Sequence, residues 1–243
     1  MQIILIGLPG SGKGTQAERI HQAFGIPRVS TGDLFRAAMA TGTRLGRKAK
    51  EYVNQGQLVP DEITVGIVRE RLSDADLAGG FLLDGFPRTV FQAEQLEQAL
   101  QAMNRRVDVA IDLNVNTENL LSRLAGRRIC SSCGAAYHVV FHPPREQGIC
   151  EKCGGALVQR ADDSEETVAA RLEVNLKQQQ PLLQFYRSRQ LLQAVDGDAG
   201  VEDVFGQISS ILRGCAVSRG KSIGIYVKEF TKSVCPQGTF ILK

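Results

Sequence analysis

The stretch "GLPGSGKGTQ", residues 7–16, decides the fold. It nearly fits the phosphate-cradling pattern G-x-x-x-x-G-K-[ST], with Gly7, Gly12 and Lys13 in register. The slot after the lysine holds Gly14, and the hydroxyl arrives one residue later, on Thr15. Chance produces G-x-x-x-x-G-K often enough that the flanking chain must carry the reading. Before it, "QIILIG" is a short apolar run suited to a buried parallel strand. After it, "GTQAERIHQAF" sets Ala17, Ile20 and Phe24 on one helical face. Strand, glycine-rich turn and helix are the setting in which backbone N–H groups and a helix N-terminus hold an anion. Lys13 adds a point charge for terminal phosphates. With Gly14 where a metal-binding hydroxyl usually stands, a Mg²⁺ ion must be held otherwise, through water bridging to Asp84.

Outward from this loop the pattern repeats. "VSTGDLFRAAMA" offers Ser30 or Thr31 as a helix cap, residues 43–56 and 61–73 read as two more helices, and Pro60-Asp61 opens the second. "GGFLLDGFPR" is again a strand ending in glycine, with Asp84 at its carboxyl end. Helices follow at 89–103 and 117–126, with the strand "VDVAIDLNV" between them. A long helix starts at a Ser164 cap, with a kink expected at Pro181. "LLQAVDG" is the last strand and "VEDVFGQISSILR" the last helix. Five strands alternating with helices predict an α/β fold, a parallel sheet covered on both faces with ligands at its carboxyl edge.

The chain has 243 residues, 43% hydrophobic and 23% charged, which suits a globular protein of one or two domains. No apolar run approaches a membrane span, and "MQIILIG" is too short for a signal peptide, so a cytoplasmic protein is expected. The net charge of +3 is concentrated in residues 214–243, where five Lys/Arg face Glu229 alone. The remainder carries no basic field of the kind nucleic-acid binding needs. Ile223, Ile225 and Val227 alternate in that tail, and terminal disorder is its default reading.

Four of the six cysteines form "CSSC" at 130–133 and "CEKC" at 150–153, sixteen residues apart. That spacing reads as a zinc site of Cys130, Cys133, Cys150 and Cys153, closed and therefore structural. His138 and His142 lie between the pairs and are read as loop residues. Cys215 and Cys235 are read as free thiols.

"GLPGSGKGT", "STGDLFR", "FLLDGFPRT", "GRR" and "EETVAARL", taken together and in order, resemble the adenylate kinase family of nucleoside monophosphate kinases, in its bacterial form with a long zinc-bearing lid. The resemblance covers residues 1–213, and glycine then threonine after the lysine is usual in that family. It implies a core with a P-loop at 7–15, a helical AMP-binding flap at 30–59 and a lid at 126–163. ATP contacts are implied at Gly10, Ser11, Gly12, Lys13, Gly14, Thr15, Arg127, Ala136, Tyr137 and Ala199. AMP contacts are implied at Thr31, Arg36, Gln57, Leu58, Val59, Gly85, Phe86, Pro87, Arg88 and Gln92, with Arg160 and Arg171 bridging the transferring phosphates. Catalysis is implied for Lys13, Asp84, Arg88, Arg123, Arg127, Arg160 and Arg171. The partners implied are ATP, AMP and, in reverse, ADP, bound with Mg²⁺ by a monomer.

The chemistry of such a reaction matches the inventory. The nucleophile is a phosphate oxygen whose second pKa is about 6, already ionised at neutral pH, so no general base is required. What is required is charge neutralisation and alignment, which arginines and a lysine supply. Two alternatives stand beside this reading: a kinase for UMP, CMP or GMP, and a P-loop ATPase whose zinc ribbon binds nucleic acid.

Overall fold

The computed structural model describes residues 1–55, 57–163 and 165–217, without the side chains of 44, 45, 161, 165 and 166. The expected Ser164 cap, Cys235 and the tail from 218 onward lie outside the described residues.

Five parallel strands form the central sheet: β1 (Gln2–Ile6), β2 (Arg28–Ser30), β3 (Phe81–Asp84), β4 (Val109–Asn114) and, later in the chain, a strand at Leu192–Asp196. Their spatial order is β2-β3-β1-β4, then Leu192–Asp196 at the far edge. β1 pairs with β3 on one side and β4 on the other, so chain direction across the sheet reverses beside β1. Ligands of open α/β sheets gather at that point, outside the carboxyl ends of the strands.

Alternation along β1 builds two cores. Ile4 and Ile6 face one layer with Leu83, and Ile3 and Leu5 face the other with Ile111. The first layer is covered by α4 (Asp61–Leu72) and α5 (Val90–Ala102), through Val68, Leu72, Leu96 and Leu100. The second is covered by α1 (Lys13–Phe24), through Ala17 and Ile20, and by the last helix, through Val204, Ile208 and Leu212. Each fully buried aliphatic side chain of this kind contributes about 1.5–3 kcal/mol.

Two insertions rise from the carboxyl edge. The flap is α2 (Thr31–Ala40) with α3 (Arg44–Asn54), packed through Phe35, Ala49 and Val59. These helices cross so closely that a Cβ on Gly46 would lie 1.9 Å from the Ala38 carbonyl oxygen. The second insertion follows α6 (Thr117–Ala125). It is a three-stranded antiparallel sheet of β5 (Arg127–Cys130), β6 (Ala136–His138) and β7 (Leu157–Val158), with β5 in the centre. The chain then returns through α7 (Glu165–Ser188), β8 (Leu192–Asp196) and α8 (Val201–Val217).

Pro181 lies inside α7, which runs as one helix to Ser188. One expectation changes. α8 passes the expected boundary at 213: Ala216 is buried, and Cys215 packs against the second core. Residues 214–217 therefore belong to the folded domain. No helix among the described residues is long and apolar enough to cross a membrane.

Candidate active site

The phosphate loop joins β1 to α1 at the sheet's carboxyl edge. Gly7 is required by close packing: a Cβ there would stand 2.6 Å from Ser11 Oγ and 3.0 Å from the Leu113 carbonyl oxygen. No side chain caps α1, and its first turn holds no acidic residue. Its leading N–H groups are thus free of the partner that a side-chain cap would supply. Lys13 Nζ donates to the carbonyls of Gly7 and Leu8 at 2.7 and 2.8 Å, folding back over the loop. Burial pushes its pKa down to about 8; Asp84 opposes the shift, and Arg88, Arg171 and Arg127 add to it. Gly10, Ser11 and Gly12 line the same turn, and Thr15 is exposed one residue beyond Gly14.

A Cβ on Gly14 would stand 3.4 Å from Arg28 Nη2 and 3.8 Å from Asp84 Oδ2, ordinary van der Waals contact, so packing alone does not demand glycine there. Asp84 ends β3 at the predicted place, but it is not free: Arg28 NH2 and Nε donate to its Oδ2 at 2.6 and 3.2 Å. Arg28 escaped the sequence reading because it lies outside the quoted motifs, in a strand of only three residues.

The predicted arginines converge on the cleft between flap and lid. Arg127 at the start of β5 and Arg171 on α7 share the buried carboxylate of Asp163. Arg171 also pairs with Asp162 at 3.0 Å. Arg88 is pushed down to about 10 by burial and then by Arg171. Arg160 is pushed to about 10 by burial and then by Arg36 and Arg127, and its Nε has no hydrogen-bond partner among the described residues. Burial leads both shifts, and the neighbouring guanidiniums add to it while Asp84, Asp162 and Asp33 oppose it. Arg123 is placed apart: it donates to the Gly197 carbonyl at 3.0 Å and faces Asp198, on the loop that carries Ala199. Asp162 and Asp163 were missed, although the acidic pair "DD", one residue beyond Arg160, marks them in the sequence.

Beneath the flap a cavity of about 660 Å³, counting the solvent at its mouth, is lined by Thr31, Arg36, Gln57, Leu58 and Val59. Gly85, Arg88, Gln92 and Arg171 of the predicted set also line it, and Arg160 does not. Phe86 and Pro87 are buried instead, Phe86 within the first core, so their side chains do not line it. Thr31 Oγ1 and Arg88 Nε both donate to the Gly85 carbonyl, at 2.9 and 2.8 Å. Arg36 pairs with Asp33.

In the lid, the Sγ atoms of Cys130, Cys133, Cys150 and Cys153 all lie within 4.8 Å of one another, two pairs at 3.5 Å. A tetrahedral Zn–S site at ~2.3 Å sets its sulfurs roughly 3.8 Å apart, so this donor set fits. A hydrogen bond from Tyr137 leads the influences that hold the Cys150 thiol down at about 6, toward the thiolate a metal needs. The Tyr137 ring is buried against the cluster and stacks on His142, so only its backbone is left for a ligand, while Ala136 is exposed. His138 accepts from the N–H groups of Val140 and Phe141 and stands outside the cluster; it is the last residue of β6, not a loop residue as expected. Lys152, between the last two cysteines, reaches Glu18 on α1 at 3.4 Å, so the lid touches the core.

A parallel sheet with a phosphate loop at its switch point, two insertions over its carboxyl edge and a cationic cleft between them define a nucleotide-dependent phosphotransferase. The sequence model described as "Adenylate kinase" matches residues 5–191. The adenylate kinase of Geobacillus sp. (strain WCH70) is 59% identical over 214 residues, 88% of this chain and 99% of that protein. Those of Bacillus licheniformis and Bacillus subtilis (strain 168) are each 56% identical over the same shares. The chain belongs to the adenylate kinase family.

Proposed function

We propose that the chain catalyses reversible transfer of the γ-phosphoryl group of ATP to AMP, giving two ADP, with the two nucleotides held end to end. ATP lies on residues 10–15, its phosphates received by the N-terminus of α1 and by Lys13 once that ammonium leaves the loop carbonyls. AMP occupies the cavity beneath the flap, with Arg36 and Arg88 at its phosphate and Gln92 at its base. Arg123, Arg127, Arg160 and Arg171 gather on the phosphates in transit. Asp162 and Asp163 hold Arg127 and Arg171 in place until those phosphates arrive.

The observation that supports this reading is the Nε of Arg160, which has no hydrogen-bond partner among the described residues and stands near Arg36 and Arg127. A cluster of this kind is held against its own repulsion by the fold, and transferring phosphates supply the missing negative charge. Mg²⁺ enters with ATP. Asp84 would hold it through water, and it would neutralise charge on the β- and γ-phosphates. Zinc is the metal that four thiolates select, and with no open position its role is to staple the lid. A cytoplasmic monomer fits the composition and the uncomplicated two-substrate site.

The test is a coupled assay of ADP formation from ATP and AMP, together with binding of a bisubstrate mimic that joins two adenosines through five phosphates. The mimic should compete with both nucleotides and raise the melting temperature. Competition with ATP alone would overturn the end-to-end arrangement. A panel with UMP, CMP and GMP should show AMP preferred.

A further inference from the structure

The cavity wall contains one side chain whose orientation the structure leaves no freedom to change. Gln92 on α5 is 2% exposed. Its Oε1 accepts from the Arg88 main-chain N–H at 2.8 Å, and its Nε2 donates to Asp61 Oδ1 at 2.8 Å. The other Asp61 oxygen accepts from Thr89 Oγ1 at 2.7 Å, and that hydroxyl caps α5 by accepting from the Gln92 N–H at 3.2 Å. Turning the amide over would set oxygen against carboxylate and NH₂ against N–H. Two hydrogen bonds would become two repulsions.

We propose that Asp61 is a specificity-determining positioning residue: through its bond to Gln92 it fixes the order of donor and acceptor that the cavity presents to a purine. This rests on the reading that Gln92 faces the base. A glutamine amide has two N–H donors and two acceptor sites, and the protein uses one of each. The remaining N–H and lone pair stand in an order set by Asp61 on one side and Arg88 on the other. Adenine offers a ring-nitrogen acceptor beside an amino donor and matches that order. A 6-oxopurine offers a ring N–H beside a carbonyl oxygen and opposes it at both positions. A held amide rejects the wrong edge because its own groups are then left unpaired, whereas a freely turning amide would serve either.

Asp61 is well placed for this. It is the first residue of α4, immediately after Pro60, where the flap rejoins the core. Among the described residues its carboxylate bonds to α5 side chains and not to the main chain of its own helix. An acidic residue there also suits the helix dipole, so the experiment must separate base selection from stability.

The experiment measures kcat/KM for AMP and for IMP at saturating ATP, with melting temperatures, in the natural protein, Gln92→Leu, Asp61→Ala and Asp61→Asn. The natural protein should prefer AMP, and Gln92→Leu should lose that preference. Asp61→Ala should reduce it by about tenfold or more, through KM for the monophosphate with KM for ATP unchanged. Asp61→Asn, whose oxygen still accepts, should restore most of it. If Gln92→Leu keeps the preference, Gln92 does not read the base and the inference falls with that reading. If Gln92→Leu loses it but Asp61→Ala keeps it, the role of Asp61 alone is overturned. Should Asp61→Ala not fold, the side-chain amide resonances of Gln92 in the natural protein decide. Slowed solvent exchange of the Gln92 Nε2 protons supports a held amide, and exchange at the rate of a free glutamine side chain overturns it.

Discussion

Both donors on one edge of the Arg28 guanidinium converge on a single oxygen of Asp84, NH2 at 2.6 Å and Nε at 3.2 Å. The carboxylate at the end of β3 is therefore already neutralised in the structure, with the same arginine 3.3 Å from Asp33. Removing the cation leaves a buried charge with less compensation. Arg28→Gln should destabilise the protein by about 1–3 kcal/mol, read from chemical denaturation. The released carboxylate should also lower the Mg²⁺ concentration needed for half-maximal turnover. A higher Mg²⁺ requirement would contradict the competition between Arg28 and the hydrated ion.

Lys13, with its pKa pushed down to about 8, should take up a proton when a polyphosphate replaces its burial penalty with a counter-charge. Calorimetry of bisubstrate binding at pH 8.5, in buffers of different ionisation enthalpy, should show proton uptake that disappears in Lys13→Met. The sign for stability follows. Below pH 8 the ammonium is charged in folded and unfolded chains alike, and its burial opposes folding. As pH rises toward the free-lysine value the folded chain has released the proton and the unfolded chain has not, so that opposition fades. Lys13→Met should thus be more stabilising at pH 7 than at pH 10.

Arg160 contributes positive charge to a crowded cleft and leaves one donor unmatched. Arg160→Met should lower kcat by roughly 10³ or more while the melting temperature holds or rises. Equal losses of both would make it a structural residue. Arg88→Lys should likewise lose kcat with the fold intact, because a point charge cannot reproduce a planar fork.

The cysteine cluster predicts a separation of stability from chemistry. Chelation, or Cys150→Ser, should lower the melting temperature of the lid, while protein still folded at low temperature keeps most of its turnover. Turnover lost at unchanged melting temperature would show that the metal takes part in the reaction.

The sheet was legible because its strands are buried on both faces, and continuous apolar runs such as residues 2–6 have no other use. Strand β2 has three residues, too few for periodicity to speak. The cations were legible through their motifs. Their carboxylate partners Asp33, Asp162 and Asp163 were not recognised as such, because most of these contacts are set by the fold and not by spacing. Gln92 was legible as a candidate from its motif, but its bond to Asp61, thirty-one residues away, was not. The run of α8 past residue 213 was readable: Val204, Ile208, Leu212 and Ala216 recur every fourth residue, a stripe that continues past the boundary set by motif resemblance.

Arg127 and Asp163 meet across the mouth of the lid, thirty-six residues apart in sequence and bonded to each other. The insertion is thereby tied off at its neck, and the central sheet contributes no strand to it. Closure entropy grows only slowly with the length of a loop whose ends are fixed. Natural variation can therefore lengthen, shorten or replace the segment between Arg128 and Val158, cysteines included, and leave Arg127, Arg160, Asp162 and Asp163 standing at the neck.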